Sequence, residues 1–249
     1  QLGKVMRLDE LFDVLRAEGV AHGATLEADM FPSGGGPEWA ATVSDIYDLR
    51  LLRAAFNQQL RAALASDPDA MTEIADFFGS KLGGRILTLE IEARRAFLDT
   101  AIAEAAQVAA DKRRAGRDPR TRQIDRFIAA GDLLEMNVAG ALSGNLAFLT
   151  GLDEAGVNGT RLPQDELLSQ VWGQEAQIRD DTQVWLQSYL GLAYDPLTEA
   201  ELETYIAFWE SPAGQRLNAA LFLAFDAVFS GVSHDLGRAA GAAMLSQEI

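Results

Sequence analysis

Apolar residues recur at helical spacing along segment after segment of this chain, and they almost never alternate with period two. Between residues 40 and 65 the apolar positions lie three or four residues apart, namely Val43, Ile46, Leu49, Leu52, Phe56, Leu60 and Leu64. This spacing places side chains on one face of an α-helix, whereas a half-buried strand requires alternation. Because β-branched residues are also scattered, the sequence predicts an all-α fold with essentially no strand.

Local signals predict where the first helices begin and end. One helix starts near Leu8 and is expected to stop at Gly19, since glycine is common just after a helix. The segment 31–37 is rich in proline and glycine and is predicted to be a loop. A single long helix is expected over 40–65.

Short polar residues mark two further helix starts. Asp67 precedes Pro68, which is well tolerated at the first helical position, so a helix is predicted from there to about Phe78. Ser80 offers a second N-cap. The helix that it begins is expected to run over 82–110.

The chain contains an internal repeat. The run Leu-Ala-Ser-Asp-Pro at 64–68 recurs as Leu-Ala-Tyr-Asp-Pro at 192–196, and residues 77–85 align with residues 208–216. The recurring motif positions are Phe77, Ser80, Gly83 and Arg85 in the first copy, and Phe208, Ser211, Pro212, Gly214 and Arg216 in the second. Such self-similarity indicates a repeated supersecondary unit.

We therefore predict a tandem duplication of a multi-helix unit, packed as one bundle-like globular domain. The first helical repeat covers residues 1–110, a basic connector covers 111–123, and the second repeat covers 124–249. A functional site, where one exists, is expected at the seam between the two repeats.

The motif residues themselves have a structural interpretation. Ser211 followed by Pro212 is an N-cap with proline at the first helical position. Gly214 lies in the first turn, where a missing side chain lets the preceding helix pack closely, and Arg216 can reach a carboxylate across the corner. The pattern predicts a helix, a sharp corner and a second helix, with no ligand required.

Residues 206–216, Ile-Ala-Phe-Trp-Glu-Ser-Pro-Ala-Gly-Gln-Arg, follow Leu-Thr-Glu-Ala-Glu-Leu at 197–202. Together these runs resemble the signature of an exported bacterial family catalogued as domain of unknown function 2059 (DUF2059). The resemblance covers 195–229, with a weaker second copy at 64–98. It implies a small helical protein, periplasmic or secreted after removal of a signal peptide, which would explain a start at Gln1. It implies no catalytic residues.

Charge and composition exclude several functions. Lys and Arg total 21 against 37 Asp and Glu, and the net charge of −16 repels phosphate backbones, so nucleic acid is not an expected partner. The absence of cysteine excludes thiol catalysis, thiolate metal sites and disulfides. No uncharged apolar run reaches the ~18–20 residues of a spanning helix, so no transmembrane segment is expected.

The basic residues are unevenly distributed. Residues 111–122 contain six of them, which are Lys112, Arg113, Arg114, Arg117, Arg120 and Arg122. This block is interpreted as a solvated connector or helix surface that balances nearby acidic helices, and an anion-binding or acidic-partner patch is the alternative.

Motifs that carry catalytic chemistry are absent from the sequence. There is no phosphate-binding loop, paired-histidine metal motif or nucleophile elbow, and no cofactor is expected. Gly140 and Gly144 lie in a helix-like run and are predicted to allow close helix packing. The two histidines, His22 and His234, are interpreted as ordinary polar residues, although with nearby carboxylates they could form a metal site or supply a general base.

The richest aromatic cluster gives the remaining candidate site. It comprises Phe208, Trp209, Phe222, Phe225 and Phe229, which are interpreted first as core and second as a ligand pocket. The sequence favours a non-enzymatic binding or interaction module for a partner protein or an apolar small molecule. The alternatives are a hydrolase or metal-dependent enzyme using His22 and His234, and a structural subunit with an exposed apolar stripe.

Overall fold

A computed structural model describes residues 2–31, 34–157, 159 and 161–247. Within these ranges the chain forms α-helices and no strand, which confirms the predicted all-α class. The helices are α1 (Leu2–Val5), α2 (Leu8–Met30), α3 (Gly36–Ile46), α4 (Leu49–Leu64), α5 (Pro68–Gly79), α6 (Lys81–Ala96), α7 (Thr100–Ala115), α8 (Pro119–Ala130), α9 (Leu133–Glu154), α10 (Gln164–Trp172), α11 (Glu175–Ala193), α12 (Glu199–Glu210) and α13 (Pro212–Gln247).

Two predicted helix starts, at Asp67 and Ser80, are confirmed by their hydrogen bonds, and α12 begins with a local cap of its own. The Asp67 carboxylate accepts the amide hydrogen of Ala70 at 3.0 Å, and Pro68 begins α5. At the start of α12, Thr198 and Glu201 form the reciprocal capping box, in which each side chain satisfies an amide of the other residue. Ser80 caps α6. These signals are local, which is why sequence alone located them.

The predicted stop at Gly19 is wrong, because α2 continues to Met30. Gly19 is buried in the middle of this helix, where a Cβ atom would overlap the ring of Tyr47. The glycine therefore allows a close approach between α2 and the end of α3. A helix-ending glycine and a helix-packing glycine look the same in a sequence.

The two longest predicted helices are each interrupted by an aspartate cap. The segment 40–65 divides into α3 and α4, where the Asp48 carboxylate accepts the amide hydrogens of Arg50 and Leu51 at 2.8 and 3.0 Å. Asp99 similarly begins α7 and divides the segment 82–110. The apolar period continues through both breaks, so periodicity alone did not reveal them.

The predicted loop at 31–37 is shorter than expected. Pro32 and Ser33 lie outside the described residues, and α3 already begins at Gly36. The Glu27 carboxylate accepts the amide hydrogens of Gly35 and Gly36 at 2.8 and 2.9 Å. These two hydrogen bonds connect the start of α3 to the last turn of α2.

The corners between α5 and α6 and between α12 and α13 share one geometry. Ser80 Oγ accepts the amide hydrogen of Gly83 at 3.1 Å, and Ser211 Oγ accepts that of Gly214 at the same distance. The two serines also share extended backbone angles, with φ and ψ of −70° and 162° for Ser80 and −75° and 158° for Ser211. The aligned motif therefore has the same local structure twice.

The packing glycines behave alike as well. A Cβ atom on Gly83 would overlap the carbonyl oxygen of Phe77, and one on Gly214 would overlap that of Phe208. In both corners the second helix starts against the backbone of the helix before it. The close packing predicted for Gly214 is thus explained by a specific backbone contact.

The two corners also contact each other. The aligned residues Phe77 and Phe208 stack with ring centroids 4.2 Å apart and planes 14° from parallel. Arg85 donates to the Pro196 carbonyl at 2.7 Å and to Glu201 at 2.6 Å, while Arg216 donates to Ser66 Oγ at 2.7 Å. Each motif arginine therefore reaches the beginning of the repeated block in the opposite copy.

Helices α9 and α13 make the most extensive helix–helix contact in the described part of the chain. A Cβ atom on Gly151 of α9 would overlap the carbonyl oxygen of His234 on α13. A Cβ atom on Gly237 of α13 would overlap the carbonyl oxygen of Phe148 on α9. The predicted packing role is wrong for Gly140, where a Cβ would meet nothing within 4 Å, whereas a Cβ on Gly144 would lie 3.3 Å from Ser233 Oγ of α13, a tight contact. The contacts with carbonyl oxygens lie farther along α9.

The segment predicted as a basic connector is mostly helical. Residues 111–115 end α7 and residues 119–123 begin α8, so only 116–118 lie between helices. Arg113 lies against Gly191, and Arg120 donates to the Leu197 carbonyl at 2.5 Å, whereas the other four basic side chains of the block are exposed. Two of the six basic residues therefore have packing roles.

Among the described residues, one helical stretch, Pro212–Ser246, is long and apolar enough by length and composition to cross a bilayer. One third of its most apolar window, 33%, is buried in the fold, and core helices of soluble proteins also meet this criterion. The helix carries Asn218, whose amide donates to the Gly131 carbonyl at 2.7 Å, and Asp226. The absence of a transmembrane segment stays a prediction.

Candidate functional site

The five aromatic residues singled out in the sequence divide into two groups. Phe208 and Trp209 are buried in the core, with 9% and 8% of their surface exposed. Phe208 stacks on Phe77, and Trp209 meets Phe127 edge-on with ring centroids 6.2 Å apart. These two aromatic side chains belong to the hydrophobic core and do not line the groove described next.

The other three, Phe222, Phe225 and Phe229, are half-buried and line an open groove of about 640 Å³. They lie on one face of α13 because they are three and four residues apart. The rings of Phe225 and Phe229 are nearly parallel, 17° apart, with centroids at 5.9 Å. We call this cavity the seam groove. Its lining residues are Leu15, Arg94, Met136, Asn137, Ala139, Gly140, Ala141, Ser143, Phe222, Leu223, Phe225, Asp226 and Phe229.

Both predicted repeats contribute to the seam groove. Helix α2 supplies Leu15 and α6 supplies Arg94, while α9 and α13 supply the remaining lining residues. The groove therefore lies where the segment 1–110 meets the segment 124–249. Gly140 belongs to this lining, and a Cβ on it would meet nothing within 4 Å. The sequence predicts helix packing at this glycine and carries no local signal for the contribution of α2 and α6.

The lining contains two ionisable residues, Arg94 and Asp226. Arg94 is neutralised by Glu18, to which it donates from Nε at 2.7 Å and from a terminal nitrogen at 3.0 Å. Burial lowers the pKa of Arg94, but the charge and hydrogen bonds of Glu18 outweigh it, and the net pKa is raised. Within the described part of the chain, the Asp226 carboxylate has no hydrogen-bond or ion-pair partner.

One helical turn before Arg94, the Glu90 carboxylate is buried under tyrosines. Tyr194 and Tyr205 donate to its Oε1 at 2.7 and 2.9 Å, and Tyr189 donates to its backbone carbonyl at 3.0 Å. Burial raises the pKa of Glu90 despite these hydrogen bonds, which act in the opposite direction. The phenolic pKa values of the tyrosines are raised by burial and by the nearby carboxylate. The network joins α6 of the first predicted repeat to α11 and α12 of the second.

The two histidines have different surroundings. His234 Nε2 lies 3.0 Å from Glu154 Oε2, and its Nδ1 lies 3.6 Å from Asp235 Oδ1. His22 lines a separate cavity of about 310 Å³ beside Tyr47, and desolvation lowers its pKa. Among the residues that the structure describes, no three His, Asp or Glu side chains are grouped as a metal site would require.

Comparison with known proteins identifies no relative of this chain. No family model matches it, no curated protein is similar to it, and no solved structure matches it. The function therefore has to be inferred from the geometry and chemistry of the protein's own residues.

Proposed function

We propose that this protein is a non-enzymatic binding protein whose seam groove takes an apolar small molecule. The observation that carries the proposal is the groove itself: about 640 Å³, open to solvent and lined mostly by apolar and aromatic side chains. Small-molecule sites are typically concave, apolar and of this size, with a few polar groups that fix orientation. Their usual position between packed helices also matches the seam.

The exposure of the lining supports the same function. Phe222, Phe225 and Phe229 are only half-buried, and Leu223 at the mouth is 63% exposed. Elsewhere the large aromatic side chains of α12 are almost fully buried. Exposed contiguous apolar surface costs free energy in water, which a bound apolar ligand would recover at roughly 25 cal/mol per Å² covered.

Filling the groove should abolish binding without harming the fold. Gly140→Leu introduces a side chain into open space at a lining position of the groove, and it also replaces a helical glycine by a better helix former. We expect the fluorescence of the apolar fluorophore N-phenyl-1-naphthylamine to increase when it binds the natural protein. This variant should bind the fluorophore at least about tenfold more weakly, a loss of ~1.4 kcal/mol.

Gly231→Leu is the matched control. Gly231 is exposed on α13, lies outside the groove lining, and likewise has nothing within 4 Å of a Cβ. Probe binding should survive in this variant. Probe binding that persists unchanged in Gly140→Leu would place the site elsewhere. A groove that binds a partner protein and no small apolar probe would favour the interaction-module alternative.

We also propose a periplasmic or secreted location and membership of the exported DUF2059 family. The support is the resemblance of residues 195–229 to the family signature, and the chain's lack of cysteine is compatible with that compartment. Osmotic-shock fractionation of the source cells tests the location. Recovery with cytoplasmic marker proteins, and not with periplasmic ones, would refute it.

A further inference from the structure

We propose that the ligand of the seam groove is a hydrophobic organic cation. This inference rests on the proposed function and adds the charge of the ligand to it. The feature that carries it is an exposed carboxylate, Asp226, which has no partner among the described residues and lines the groove beside the half-buried rings of Phe222, Phe225 and Phe229 on the same helix.

The charges of the groove favour a cation. Arg94 is already compensated by its two hydrogen bonds to Glu18, while Asp226 has no ionic or hydrogen-bonding partner among the described residues. Arg94 and Glu18 form a pair of opposite charges, so the formal charge that remains among these three groups is the single negative charge of Asp226. An anionic ligand would have to displace Glu18 from Arg94 before it gained a partner.

The aromatic lining adds a second attraction for the same charge. The face of a phenyl ring is electronegative, and a cation within about 6 Å of it is attracted, more strongly when water is excluded. Phe222, Phe225 and Phe229 are half-buried and accessible from the groove. A ligand with an apolar body and a delocalised positive charge can therefore contact the rings and the Asp226 carboxylate together.

The field of the whole molecule acts in the same direction. With a net charge of −16, the protein raises the local concentration of cations and repels anions, at long range and in a salt-dependent manner. This contribution steers approach. The local groups of the groove determine which ion is retained.

Two ions of equal shape and opposite charge test the inference. Tetraphenylphosphonium and tetraphenylborate present similar apolar surfaces, so isothermal titration calorimetry of the intact chain measures the effect of charge alone. We expect the cation to bind at least about fivefold more tightly than the anion, the ratio that corresponds to about 1 kcal/mol of partly screened attraction. Equal affinities, or tighter binding of the anion, would overturn the proposal.

Variants separate the local carboxylate from the overall charge. Asp226→Asn should remove most of the cation preference. Asp180→Asn should leave it intact, because Asp180 is exposed on α11, lies outside the lining and has no ion-pair or hydrogen-bond partner among the described residues. Loss of preference in both variants alike would attribute it to net charge and refute the assignment to Asp226. Cation binding that survives Gly140→Leu would equally refute it.

The same experiment distinguishes the two proposals. When N-phenyl-1-naphthylamine, a neutral probe, binds in a manner sensitive to Gly140→Leu but the two ions bind equally, only the cation inference fails. When neither the neutral probe nor either ion binds, the proposed function fails with it.

Discussion

At the scale of single residues, the most unusual environment belongs to Glu90. Its carboxylate accepts hydrogen bonds from Tyr194 and Tyr205 within the core contact between the two repeats. Burial raises its pKa above 4.5, which means that the folded protein holds the proton more tightly than the unfolded chain does. The contribution of Glu90 to stability is therefore fully present below pH 4.5 and is lost as the pH rises through the folded-state pKa.

The variant Glu90→Gln should remove this dependence. An amide oxygen can still accept from both tyrosines but carries no charge to desolvate, so we expect the variant to be more stable than the natural protein above neutral pH by at least about 1 kcal/mol. Urea unfolding of both proteins at pH 5 and at pH 8 measures this difference in stability. The exposed Glu73→Gln serves as control. A variant less stable at pH 8 would show that ionised Glu90 is favourable.

At the scale of elements, the two helix corners depend on glycine for a steric reason. Gly83 and Gly214 each face the carbonyl oxygen of the residue six positions earlier, Phe77 and Phe208. Neither carbonyl can retreat without moving its helix. The seam groove gives the opposite case, because Gly140 faces open space on an equally helical backbone.

Alanine at these positions should separate the two kinds of glycine. We expect Gly83→Ala and Gly214→Ala each to lower the free energy of unfolding by about 2 kcal/mol or more through overlap with the carbonyl. Gly140→Ala should instead raise it by about 0.5–1 kcal/mol, the difference in helix propensity. Urea or thermal unfolding checks all three. Similar small effects at every position would contradict the packing interpretation.

At the scale of the whole molecule, equivalent positions of the two predicted repeats contact one another. Phe77 stacks on Phe208, and Arg85 and Arg216 each reach into the opposite copy. A two-fold arrangement produces such reciprocal contacts, since residue i then meets j and j meets i. These contacts support the proposed duplication. The exposed ion pairs contribute little free energy, so the stacked rings matter most.

A double-mutant cycle measures the contact between the repeats. We expect Phe77→Leu and Phe208→Leu to be coupled by about 0.5–1.5 kcal/mol, because either change removes the same stack. Phe31→Leu combined with Phe208→Leu should be additive, since Phe31 contacts a different aromatic residue, Trp39. Urea unfolding of the single and double variants gives the coupling. Additivity of the first pair would show that the stack contributes no specific energy.

The sequence by itself determined the helical class, several helix boundaries and the local form of the repeated corner. Each depends on groups close together in the chain: Ser211 caps an amide three residues away, and the Thr198 box closes over the same distance. The sequence did not predict the helix breaks at Asp48 and Asp99, because an apolar period can continue through a corner. It also predicted a helix end at Gly19 that is wrong, because a buried glycine resembles a helix-ending one.

Only the tertiary structure decided which aromatic residues are buried and where the groove lies. Phe208 and Phe222 belong to one sequence cluster, yet one is in the core and the other lines the groove with Leu15 and Arg94 from the opposite repeat. Arg94 and its partner Glu18 are 76 residues apart. The burial of apolar faces that brings such helices together is non-directional, so the site is fixed by how whole helices pack and by no local run of residues.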